Sequence, residues 1–152
     1  MSFTFKDYED SDWEDLKEMA LCLYEEDPLG AIMTEEKIRK TVCESLSHPD
    51  KLRIIMIRTD GKNIGYGIIV FFWSNEYGGD IIDIDELFVK KEYRNRQAAT
   101  SFINHQAAYK SAVALSLEAT PLNDSAIKLY KKMGFEPSQN YHMLLHLNDS
   151  YH

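Results

Sequence analysis

Glu86-Leu87-Phe88-Val89-Lys90-Lys91-Glu92-Tyr93-Arg94-Asn95-Arg96-Gln97-Ala98-Ala99-Thr100 is the stretch on which the reading of this chain turns. It joins three unlike pieces. Leu87, Phe88 and Val89 end an apolar run that begins at Ile81, and Lys90 to Arg96 is polar and cationic. Small and apolar residues then return, with Ala98 and Phe102, and Ala99, Ile103 and Ala107, spaced by four. The pattern predicts a strand over Ile81–Val89, a loop, and a helix over Gln97–Ser111. A loop that opens a helix turns unpaired backbone N–H groups outward at the positive end of the helix dipole, and Arg94 and Arg96 add cationic donors there. Asp83, Asp85 and Glu86 interrupt the apolar strand with carboxylates.

Upstream, Leu52–Thr59 and Ile64–Trp73 are β-like runs joined by Asp60-Gly61-Lys62-Asn63, a hairpin. Before it, Ser11 and Glu14 form a capping-box pattern ahead of Trp13, Leu16, Ala20, Leu23 and Tyr24 at helical spacing, which predicts a helix over Asp12–Tyr24. Thr34 can cap a second helix carrying Ile38, Val42 and Leu46. Downstream, Ala114–Ala119 reads as a strand. Asn123 caps a helix with Ala126, Ile127 and Tyr130 on its apolar face, Gly134 sits past its end, and Tyr141–Leu147 reads as a last strand. Two strand–helix–strand units favour parallel pairing and the hairpin favours antiparallel pairing. The expected class is therefore α/β (α+β): a mixed central sheet with helices on both faces, in one domain over residues 1–152.

Composition narrows the function. Hydrophobic residues make up 44% and charged residues 28% of the chain, ordinary values for a globular protein. No window holds 18 apolar residues and no leader pattern opens the chain, so a cytoplasmic location is expected and a membrane is not. Seventeen basic against 25 acidic residues give a net charge of -8, which repels phosphate backbones and disfavours nucleic acid as a partner. Cys22 and Cys43 are isolated, and His142 and His146 lie four apart in the last predicted strand, roughly 13 Å, too far to share an ion. No metal is expected.

A second segment, Leu117-Glu118-Ala119-Thr120-Pro121-Leu122-Asn123-Asp124-Ser125-Ala126-Ile127-Lys128-Leu129-Tyr130-Lys131-Lys132-Met133-Gly134-Phe135-Glu136-Pro137, completes a pattern. The first stretch resembles the core of the GCN5-related N-acetyltransferase (GNAT) family, where an apolar strand end is followed by Arg/Gln-x-x-Gly-x-Gly/Ala and a helix. The second is similar to the same family's strand–Asn–helix–Tyr-x-x-x-Gly-Phe ending, with matching spacing. Both occur in the right order, and with the hairpin the resemblance covers Ile54 to Leu147.

The resemblance implies transfer of an acetyl group from acetyl-CoA, as co-substrate, to a primary amine in a ternary complex. It implies that Leu87, Phe88 and Val89 pair their backbone with the pantetheine arm. Arg94, Asn95, Arg96, Gln97, Ala98, Ala99 and Thr100 would hold the diphosphate, and Asn123 would lie on the cofactor side, although helix capping accounts for Asn123 equally well. Tyr130 matches the family's general acid, with a helix tyrosine packed on its apolar face as the other reading. Asp85 is the leading candidate to take the amine proton, by resemblance to diamine-type members, with Glu86 and Asp83 as alternatives. Strand alternation puts Asp83 and Asp85 on one face and Glu86 on the other. The departure is Gln97, where the family has glycine; it leaves a second reading, a non-catalytic acyl-CoA-binding or regulatory domain with a degenerate loop. Glu25, Glu26 and Asp85 point to a cationic small molecule or a basic side chain as acceptor. The expected partners are that amine or basic peptide, with a homodimer as a further expectation.

Overall fold

A computed structural model describes residues 1–27, 30–109 and 111–148. The order is β1 (Thr4–Asp7), α1 (Trp13–Glu26), α2 (Glu35–Ser47), β2 (Leu52–Thr59), β3 (Lys62–Ser74), β4 (Gly79–Val89), α3 (Ala98–Ala107), β5 (Ala112–Leu117) and α4 (Asp124–Lys132). The strands form one sheet in the order β1-β2-β3-β4-β5, antiparallel from β1 to β4 and parallel between β4 and β5. This is the mixed sheet flanked by helices that the element order implied.

Alternation along the strands builds two cores. Ile54 and Met56 of β2 with Tyr66 and Ile68 of β3 face Trp13, Leu16, Met19 and Ala20 of α1 and Ile38 and Val42 of α2. Ile55, Ile57, Ile69, Ile82 and Ile84 face the other way, against Ala98, Phe102 and Ile103 of α3 and Tyr130 and Met133 of α4. Gly67, in the middle of β3, makes this second core possible: a Cβ there would lie 2.2 Å from the Phe102 ring, which is fully buried. A strand interior tolerates glycine where another element comes this close.

Three expectations are corrected. The turn before α1 is not capped by Ser11 and Glu14. A short 3-10 turn, Asp10–Asp12, leads in, and the buried Asp12 carboxylate accepts from the Glu9 backbone N–H at 3.0 Å, Lys6 Nζ at 3.1 Å and Asn63 Nδ2 at 2.9 Å. Thr34, by contrast, caps α2 as read, accepting from Lys37 N–H at 3.2 Å. β1 escaped the sequence reading because it is only four residues long; its partner β2 and the stacking of Phe5 on Phe102 hold it. The last strand, Tyr141–Leu147, does not form. The segment has strand composition, but β-propensity needs a ladder partner to become a strand, and β5 is left as the sheet edge.

Candidate active site

The site begins with an irregularity in β4. Ile84 pairs with Ile69 and Glu86 pairs with Ile68, so Asp85 is an extra residue, a β-bulge. The bulge shifts the alternation. Asp83, opposite Val70, and Glu86, opposite Ile68, both fall on the α1 face, which corrects the expectation that Glu86 lies on the face opposite Asp83. The parallel ladder to β5 ends at the same place: its last pair is Ile84 with Leu117. Beyond it, β4 keeps β3 on one side and, among the described residues, has no strand on the other. The backbone from Asp85 to Val89 therefore opens onto a cleft between β4, α3 and α4.

Two cavities lie in that cleft. One, about 490 Å³, is lined by Leu87–Val89, Arg94, Asn95, Gln97–Thr100 and, from α1, Leu23 and Glu26. The other, about 450 Å³, is lined by Tyr24, Asp27, Asp85, Glu86 and Leu117–Thr120. Leu23, Leu87, Asn123, Ala126 and Tyr130 border both, so a molecule in one can meet a molecule in the other beside Tyr130.

The first cavity is shaped by backbone. Asn95 and Gln97 take left-handed conformations, with φ of 62° and 68°, so Gln97 adopts the geometry that glycine would supply without having its freedom. The loop shape survives the departure from the family pattern, at a local cost of about 1 kcal/mol or more. Arg94 bridges: its Nε donates to the Val89 carbonyl at 2.8 Å, its Nη2 reaches the Glu26 carboxylate at 2.8 and 3.1 Å, and its guanidinium lies 5.4 Å from the Phe88 ring centre. A loop edge, a helix N-terminus and the Arg94 guanidinium thus shape this cavity.

The second cavity is shaped by side chains. Among the described residues, four carboxylates line it, Asp27, Asp85, Glu86 and Glu118, and no Lys, Arg or His does. Glu86 is held from two sides: Tyr24 O–H donates to Oε2 at 2.6 Å and Tyr66 O–H donates to Oε1 at 2.7 Å. Burial raises the Glu86 pKa, the two tyrosine bonds oppose that, and Asp85 adds to it. Burial and the like charges of Asp83 and Glu118 raise Asp85 above the ordinary carboxylate range. Ser116 Oγ donates to Asp83 Oδ1 at 2.7 Å, which ties that carboxylate to β5.

Tyr130 owes its place to the end of α4. Phe135 N–H bonds to the Tyr130 carbonyl at 3.0 Å and Gly134 N–H to the Lys131 carbonyl at 3.1 Å, a Schellman turn with Gly134 at φ 104°. The turn folds the Phe135 ring against the Tyr130 ring, with centroids 5.9 Å apart. Burial raises the Tyr130 pKa, so the phenol keeps its proton at neutral pH. Asn123 caps α4, accepting from Ala126 N–H at 3.3 Å, and also borders both cavities.

Among the residues singled out in the sequence, the cleft gathers Asp85, Glu86, Leu87–Val89, Arg94, Asn95, Gln97–Thr100, Asn123 and Tyr130. Arg96 and Glu25 line neither cavity, and Glu26 lies on the loop side, paired with Arg94 rather than in the carboxylate-lined cavity. Of the acidic run Glu25-Glu26-Asp27 that the sequence offers to the acceptor, Asp27 lines the second cavity, whereas Tyr24, Tyr66 and Glu118 were not foreseen as site residues. The helical spacing of Tyr24 placed it on the core face of α1, but only the tertiary fold brings it to Glu86.

The model of the acetyltransferase (GNAT) family matches residues 13–135. No curated protein matches the chain in sequence. Similar solved structures include a possible acetyltransferase from Clostridium difficile 630, with a TM-score of 0.81, 17% identity, and coverage of 97% of this chain and 100% of that one. They also include AAC(6')-Iy bound to a CoA-S-monomethyl-acetylneamine bisubstrate analogue, with a TM-score of 0.76, 16% identity, and coverage of 96% and 99%. A ribosomal-protein-alanine N-acetyltransferase from Brucella melitensis biovar Abortus 2308 aligns with a TM-score of 0.73, 16% identity, and coverage of 95% and 99%. These likenesses show the fold, and the family model, spanning both motifs and the cleft between them, shows that this chain belongs to the acetyltransferase (GNAT) family.

Proposed function

We propose that this single-domain chain is an N-acetyltransferase that moves an acetyl group from acetyl-CoA directly to a cationic primary amine, a polyamine-like small molecule or a basic side chain. The observation that carries the acceptor class is the second cavity: among the described residues, four carboxylates and no basic side chain line it. Such a lining attracts an ammonium and repels an anion.

Acetyl-CoA, when bound, supplies an activated acetyl thioester and a thiolate leaving group. The residues of this chain do the rest. The edge of β4 over Leu87–Val89, which has no partner strand among the described residues, and the loop from Arg94 to Thr100 bind and orient it. Glu86, fixed by Tyr24 and Tyr66, anchors the ammonium end of the acceptor. Asp85, with its raised pKa, takes a proton from the reacting amine, directly or through water. Tyr130, at the junction of the cavities, holds a phenolic proton for the departing thiolate. Neither cysteine lines either cavity, which supports direct transfer over a covalent enzyme intermediate.

The test is a panel of polyamines, aminoglycosides, basic peptides and neutral amines incubated with acetyl-CoA, with thiol release and product mass as readouts. Acetylated cationic amines are expected. Acetyl-CoA that raises the melting temperature without any amine accelerating thiol release would instead support a non-catalytic acyl-CoA-binding domain.

A further inference from the structure

The C-terminus of α1 is a poor place for a carboxylate. The negative end of the helix dipole lies there, and the last turn holds Glu25 and Glu26 with no basic residue to offset them. Glu26 draws its cation from the loop after β4, 68 positions away: Arg94 Nη2 donates to Oε2 at 2.8 Å and to Oε1 at 3.1 Å. Cys22 Sγ adds a long contact to Oε1 at 3.7 Å. The pair is open to solvent, with the Arg94 and Glu26 side chains 37% and 40% exposed, and an ion pair so exposed contributes little and exchanges readily.

Glu26 is also, among the described residues, the sole carboxylate lining the cavity over Leu87–Val89. Arg94 lines the same cavity, held over it by the bond from Nε to the Val89 carbonyl. Its guanidinium bonds phosphate oxygens more strongly than a half-exposed carboxylate, so a phosphorylated donor in this cavity draws Nη2 away from Glu26. Glu26 is then an unpaired anion beside other anions and turns from them. The helix decides where it turns. Leu23, three residues earlier on the same side of α1, borders both cavities, and Asp27, the next residue, lines the carboxylate-lined one. Glu26 stands at the rim between the two.

We propose that Glu26 serves two cations in turn: Arg94 in the free protein, and an ammonium group of the acceptor once Arg94 has turned to a phosphorylated donor. Glu26, on the donor side of the free protein, thereby joins acceptor recognition. Donor binding then tightens acceptor binding, and by linkage the acceptor tightens donor binding by the same factor. This coupling rests on the reading of the cleft as a site for acetyl-CoA and a cationic amine.

Titration calorimetry with spermidine and CoA, which carries no acetyl group to transfer, measures the coupling without turnover. In the parent, saturating CoA should lower the spermidine Kd by about fivefold or more. In Glu26→Gln the Kd without CoA should stay near the parent value, and the CoA effect should shrink to about twofold or less, the remainder being long-range attraction. Arg94→Gln frees Glu26 with no donor present, so spermidine should bind several-fold tighter than to the parent without CoA. Adding Glu26→Gln to Arg94→Gln should abolish that gain. CoA that binds without moving the parent's spermidine Kd would overturn the coupling and leave the substrates as read, and so would a Glu26→Gln protein that keeps the full CoA effect. If CoA does not bind, or spermidine binds neither alone nor with CoA, the reading of the substrates falls and the coupling falls with it.

Discussion

The two cavities flanking Tyr130 are made of different material. The one over Leu87–Val89, Arg94, Asn95 and Gln97–Thr100 is built from backbone: a strand edge without a partner strand among the described residues and a helix N-terminus, shaped by left-handed residues at Asn95 and Gln97. The one over Asp85 and Glu86 is built from side chains that four separate segments deliver: α1, β4, the end of β5 and the start of α4. A backbone site recognises what every member of a family shares and is written in contiguous sequence. A side-chain site recognises what is particular to one protein and is assembled by the fold. If this contrast is right, substitutions at the junction should damage chemistry, those in the carboxylate-lined cavity should change acceptor binding, and those in the loop should alter stability and donor affinity.

The largest loss is expected at the junction. Tyr130→Phe removes a proton donor and almost no volume, so kcat should fall by ~10²- to 10⁴-fold with acetyl-CoA affinity nearly intact. Steady-state kinetics and a binding isotherm check both halves; an unchanged kcat would leave Tyr130 as packing for Phe135.

Asp85→Asn should lower kcat/KM by roughly 10²-fold and remove the acidic limb of its pH profile. That limb should lie above the ordinary carboxylate range, because burial, Asp83 and Glu118 raise the Asp85 pKa. The sign carries over to stability. A carboxyl with a raised folded-state pKa binds its proton more tightly when folded, so its stabilising contribution is present at low pH and is lost as pH rises through the folded pKa. Asp85→Asn should therefore melt at a higher temperature than the parent near pH 7. A lower melting temperature would contradict the strained carboxylate.

Glu86 gives an intermediate effect. Tyr24→Phe deletes one of its two hydrogen bonds, and a bond to a charged group is worth about 1.5–3 kcal/mol. KM for the amine should rise by about tenfold or more while kcat moves less. Equal loss in kcat and KM would make Glu86 part of the proton transfer instead of an anchor.

The smallest effects belong to the loop. Gln97→Gly should be tolerated, since glycine adopts φ near 68° freely but has more unfolded-state entropy to lose. Gln97→Val should cost about 1–2 kcal/mol and weaken acetyl-CoA binding, since a β-branched residue resists the left-handed region. Thermal unfolding of the pair decides: equal melting temperatures would mean that the left-handed geometry is not used.

How much of this could be read in advance follows the same division. β2 was bounded correctly at Leu52 and Thr59 because Ile-rich composition and a turn at Asp60-Gly61 are local signals. Thr34, Asn123 and Gly134 marked helix ends because caps act over three or four residues. Of the motif residues, Leu87, Asn123 and Tyr130 border both cavities. The bulge at Asp85 was not legible, since strict alternation assumes a regular ladder and the ladder is set by β3. Tyr24 and Tyr66 were not legible either, as their bonds to Glu86 span 62 and 20 positions. Tyr141–Leu147 was read as a strand on composition alone, whereas strand formation depends on the partner it finds.

The division between a backbone-built donor site and a side-chain-built acceptor site is tested most directly by one kinetic experiment. In Asp27→Asn with Glu118→Gln, two carboxylates leave the acceptor cavity while the loop and β4 edge stay as they are. With both substrates varied, KM for a cationic amine should rise by about two- to fivefold per charge removed, and less so at high salt. KM for acetyl-CoA should stay at the parent value. An unchanged amine KM, or an equal shift in both constants, would contradict the assignment of the two cavities.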